Sequence, residues 1–79
     1  MTHVFVVTQF EADTPSLSVV RGVYASKEAA LAATVEELYA QVEPDDGDEL
    51  FNIDAAKIEG FPFKALGDEF LLSHHILEG

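Results

Sequence analysis

The chain has no cysteine, no tryptophan, three prolines and only four lysines and arginines among 79 residues. Without cysteine it can build no disulfide framework, no cysteine-ligated zinc site and no thiol nucleophile. No apolar run approaches the ~18–20 residues of a membrane-spanning helix. The opening Met1-Thr2-His3-Val4 lacks the positive n-region of a secretory signal, so a soluble cytoplasmic protein is expected. Fifteen Asp and Glu against those few cations leave a net charge of −11, which argues against direct nucleic-acid binding. A hydrophobic content of 48% argues against whole-chain disorder. The length allows one domain, residues 1–79, with a small core.

The charge is unevenly placed. In residues 1–27, Glu11 and Asp13 balance Arg21 and Lys27; the whole imbalance lies in residues 28–79. Glu43, Asp45, Asp46, Asp48 and Glu49 form a dense run, with Glu36 and Glu37 just upstream.

Val4 to Phe10 reads as an interior strand, with Val4, Val6 and Phe10 on one face and Phe5 and Val7 on the other. Asp13-Thr14-Pro15-Ser16 is a turn, and Leu17 to Ala25 a second strand with Leu17, Val19 and Val23 inward and a bulge at Gly22. Ser26 is a helix N-cap, and Leu31, Val35, Leu38 and Val42 make one apolar stripe on a helix from Lys27 to about Val42. Pro44 and Gly47 end it. Leu50, Phe51 and Ile53 then alternate, with Ala56 and Ile58 in the opposite phase, which predicts a strand bulged near Ala55-Ala56. Pro62 marks a bend, Gly67-Asp68 a turn, and Phe70 to Leu77 a final strand. The expected fold is α+β: an antiparallel sheet of four strands, five if Phe63–Leu66 adds one, with one helix on one face, in the order β-β-α-β-β. One helix leaves the second sheet face to a dimer or a partner.

The acidic run does not fit an EF-hand: with Gly47 at the sixth position, Val42, Pro44 and Ile53 fall where acids are required. Read at the end of a helix, Glu43, Asp45 and Asp46 sit against the negative end of its dipole, a local conflict of the kind that marks functional sites. Glu36, Glu37, Glu43, Asp45, Asp46, Asp48 and Glu49 are therefore the candidate partner-binding residues, a patch with the charge density of a nucleic-acid backbone. Phe61 and Phe63, flanking Pro62, are a candidate apolar interface. His74 and His75 point to opposite faces of their strand, and His3 can meet one of them only if the first and last strands are neighbours; no metal or other cofactor is expected. Ser73 beside His74 faces away from it, and there is no Gly-x-Ser-x-Gly elbow or phosphate loop, so no enzyme is expected.

Val4-Phe5-Val6-Val7-Thr8-Gln9-Phe10-Glu11, with Gly22-Val23-Tyr24-Ala25-Ser26-Lys27-Glu28-Ala29-Ala30, resembles small uncharacterised bacterial and phage proteins that begin β-β-α. By size and acidity the chain is also similar to phage-encoded anti-defence inhibitors, including anti-CRISPR proteins. That resemblance implies a non-catalytic inhibitor in the host cytoplasm, mimicking nucleic acid on the basic surface of a host protein. The alternatives are a small structural or dimerising module whose acidity is solubilising or salt-adapted, and a carboxylate-rich calcium binder.

Overall fold

Two long antiparallel strands form the spine of the molecule. β1 (Thr2–Glu11) and β4 (Asp68–Leu77) pair over their full length, from Thr2 opposite Leu77 to Glu11 opposite Asp68. β2 (Ser18–Tyr24) flanks β1 and β3 (Phe63–Ala65) flanks β4, so the antiparallel order is β2-β1-β4-β3. Between β2 and β3 the chain forms two helices, α1 (Lys27–Gln41) and α2 (Gly47–Glu59). The structure, a computed structural model, describes residues 1–11, 13 and 18–78. Most of the expected Asp13–Ser16 turn, and the inward placing of Leu17, lie outside the described residues.

α1 begins where the sequence predicts. Ser26 Oγ accepts a hydrogen bond from the Ala29 amide at 3.0 Å, and Glu28 sits in the positively polarised first turn. Val35 and Leu38 are buried, with Leu31 and Val42 packed beside them. Thr34 joins the buried face because its hydroxyl donates to the Ala30 carbonyl at 2.8 Å, which leaves no unpaired polar atom.

The segment expected to be a bulged strand is helix α2, and the fold therefore has two helices. Asp46 caps it: its carboxylate accepts from the Glu49 amide at 3.2 Å, and Asp48 and Glu49 lie in the first turn. Ile53 and Ala56, three apart, are its buried residues. The phase break near Ala55-Ala56 is thus a helical period. Phe51 and Ile58 made the alternation look strand-like, yet they are 71% and 86% exposed. Gly60, at φ +81°, ends the helix in a backbone region that favours glycine. The extra strand considered at Phe63–Leu66 is present as β3, so the sheet still has four strands.

Both helices pack on the same face of the sheet. Val7, Ala30, Val35, Leu38, Ile53, Ala65 and Phe70 form one buried cluster, with Leu72, Tyr24 and Phe63 against it. The face holding Phe5 and Val7 is therefore the helix-covered one. Val4, Val6 and Phe10 point to the opposite, outer face, together with Val20, Val23, Leu71 and Leu77 by register. The bulge in β2 falls at Arg21, one residue before Gly22. Gly22 has a different part: a Cβ there would lie 2.5 Å from Tyr24 Oη, so a larger residue would displace the Tyr24 ring that covers it.

Candidate functional site

The acidic run bridges two helix ends. Val42 is the C-cap of α1, and Glu43, Pro44 and Asp45 lead directly to Asp46, the N-cap of α2. Asp46, Asp48 and Glu49 therefore meet the positive end of a helix, where carboxylates are favourable. The conflict expected for Glu43, Asp45 and Asp46 is thus removed for Asp46 and persists for Glu43 and Asp45. Glu49 has a second structural role: its Oε2 accepts from the Leu66 amide at 2.8 Å, tying α2 to the β3–β4 turn, where Leu66 and Gly67 both have positive φ.

The seven candidate acids do not converge on one patch. Glu37 leans to the β2 side of α1 and pairs with Arg21. Glu36 leans the other way, into the groove between the helices beside Tyr39 and Lys57. Glu43, Asp45, Asp46 and Asp48 crowd the α1–α2 connection, all exposed, and Glu49 turns toward the β3–β4 turn. They share a layer of the molecule rather than a pocket. That layer also holds Glu28, Asp54 and Glu59, acids outside the candidate set. From Lys27 to Glu59 there are ten carboxylates and two lysines, a net −8 out of −11. Nine of the ten are exposed, Glu49 being the exception. Glu28 lies on α1, whereas Asp54 and Glu59 join the layer only because their segment is helix α2 and not a strand.

Tyr39 and Asp54 link the two helices. The Tyr39 hydroxyl donates to Asp54 Oδ1. That hydrogen bond, then desolvation and the neighbouring negative charge, hold the phenol above its usual pKa.

Phe61 and Phe63 are half-buried and do not form an exposed knuckle. Their ring centroids lie 5.2 Å apart, and Phe63 stacks on buried Phe70 at 5.1 Å. The Phe61-Pro62 peptide is cis. Phe61 also lines an open groove of about 710 Å³ with Phe5, Leu31, Ile58, Leu72 and His74. A second groove of about 470 Å³, along Leu31, Val35 and Tyr39, lies between the helices.

The first and last strands are neighbours, so His3 does meet His74. Nδ1 of His3 and Nε2 of His74 are 2.8 Å apart, and Phe5 stacks on His74 at 4.6 Å. His75 lies on the outer face, its Nε2 3.0 Å from Ser73 Oγ. Ser73 thus meets His75, two residues on, and not His74. Among the described residues no carboxylate bonds to His75 to orient it as a base, and no three His, Asp or Glu side chains are placed to hold a metal ion. No described helix is long and apolar enough to cross a membrane.

No family model matches the chain, and neither a curated protein nor a solved structure matches it.

Proposed function

We propose that this is a non-catalytic interaction protein whose acidic helical layer docks on the basic nucleic-acid-binding surface of another protein. The observation that carries the reading is the segregation of charge: a net −8 sits between Lys27 and Glu59, almost all of it exposed. A surface of that sign steers basic macromolecules toward it and repels nucleic acid. The carboxylates are spread over the layer and do not line one pocket, which suits docking on a broad surface rather than enclosing a substrate. The function is inhibitory by occupancy, in the anti-CRISPR-like manner, with the host cytoplasm as its setting.

Competition tests it. Labelled target nucleic acid bound to a CRISPR surveillance complex or a host nuclease should be displaced by the chain at physiological salt. The control is the variant D45N/D46N/D48N/E49Q. Asn still caps a helix and Gln still offers an acceptor to the Leu66 amide, so α2 keeps its start and its tie to the β3–β4 turn while four charges vanish. Lysine at these positions would instead oppose the helix dipole and confound folding with binding. The variant should displace at least roughly tenfold less well, about 1.4 kcal/mol. Equal displacement by both proteins, or none across such complexes, would refute the reading.

A further inference from the structure

We propose that the outer face of the sheet is the interface of a homodimer, two copies packing sheet against sheet. The inference does not rest on the acidic-docking reading. Both helices cover the inner face, and among the described residues no element covers the outer one. On that face Val4, Val6, Phe10 and Leu71 are half-buried, Val20 and Val23 are 61% and 60% exposed, and the uncharged polar side chains of Thr8 and Ser73 lie among them with His75. Exposed valines side by side on a regular sheet mark an association surface more than scattered apolar residues do.

Charge selects a second copy as the occupant. By register, the only charged side chains of the described strands on this face are Lys64 and Glu69, which oppose each other and cancel. In a chain of net −11, this face can meet its own copy with no uncompensated charge from the described strands. The area suffices. Four strands of ten, seven, three and ten residues, at ~3.4 Å per residue and ~4.8 Å per strand, give a footprint of roughly 500 Å². Two copies then bury about 1,000 Å², the lower bound for a specific interface. The arrangement also separates the charge. Sheets stack ~10 Å apart, so the two acidic helical layers end on opposite outer sides, roughly 30 Å from each other. At ~0.15 M salt the Debye length is ~8 Å and their repulsion is screened; at ~0.01 M it is ~30 Å and the layers feel each other. The dimer must therefore tighten as salt rises, opposite to a contact made by the acids.

Sedimentation velocity over a concentration series, in about 10 mM and about 300 mM salt, tests this. The expected result is a dimer at the higher salt with a dissociation constant at least roughly tenfold tighter than at the lower. The melting temperature should also rise with protein concentration. V20K/V23K, at positions outside the core, should be monomeric with an unchanged circular dichroism spectrum, and L77K, at the end of the face, should weaken the dimer independently. A wild type that stays monomeric throughout, a dimer that survives both lysine variants, or one that loosens with salt would each overturn the proposal. If V20K/V23K fails to fold, the wild-type salt and concentration series and L77K still decide it.

Discussion

The two sides of the molecule differ in what they leave in water. The helical side exposes nine carboxylates and, of its large apolar residues, Phe51 and Ile58 on α2 and Val19 and Ile76 on the helix-facing side of the strands. The outer sheet side exposes valines and leucine and carries no net charge among the described strands. The two helices, of 15 and 13 residues, both pack on one face of the four-stranded sheet. The chain spends its helices on one face and puts its charge on their backs. The two surfaces are therefore suited to different partners, a basic one on the helical side and an apolar one on the sheet side, and salt should act on them in opposite directions.

The largest expected effect separates the two faces of the sheet itself. Phe70 is buried at 2% exposure against the helices, so Phe70→Ala should cost about 3–5 kcal/mol in chemical denaturation. Val23→Ala, on the outer face, should stay within about 0.5 kcal/mol in dilute protein. Equal costs would mean that the outer face is already covered within the monomer. Next comes the self-repulsion of the helical layer. Raising salt from about 10 mM to about 500 mM should stabilise the fold by roughly 1 kcal/mol, a rise of about 4–8 °C in a thermal melt. D45N/D46N/D48N/E49Q should flatten that rise, whereas V20K/V23K at monomeric concentration should flatten it less, because the acids it faces are on the far side of the sheet.

A third comparison is within the acidic run. Asp46→Ala should cost about 1 kcal/mol by removing the cap of α2, while Asp45→Ala, at an exposed connection, should cost close to nothing. If both were silent, α2 would not depend on its cap. The smallest effect is at Tyr39. Its raised pKa means that the neutral phenol is favoured in the folded protein. The Asp54 bond therefore contributes fully below the ordinary tyrosine pKa and is lost as pH rises through the raised one. An ultraviolet titration of Asp54→Asn should bring the Tyr39 midpoint back down; an unmoved midpoint would show that the bond does not form in solution.

Much of this was legible in the residues. Ser26 with Glu28, and the stripe through Leu31, Val35, Leu38 and Val42, located α1 because capping and periodicity agreed. The alternation of Val4 to Phe10 located β1, but not which face is inner: both faces are apolar, and the deciding fact, where the helices pack, is tertiary. α2 was hidden because Phe51 and Ile58 carry strand-like hydrophobicity into solvent, and because Asp46 lies between two helices and serves as the cap of the second. The same ambiguity made the acids look more anomalous than they are. The pairing of His3 with His74 depended on strand order, which local pattern does not encode.

Binding through the helical side should carry the salt dependence of a contact between charges. Affinity of the wild-type chain for a basic nucleic-acid-binding complex should fall steadily from about 50 mM to about 300 mM salt, and D45N/D46N/D48N/E49Q should show a visibly shallower fall. An affinity that holds level across that range, or an identical slope for the two proteins, would contradict it.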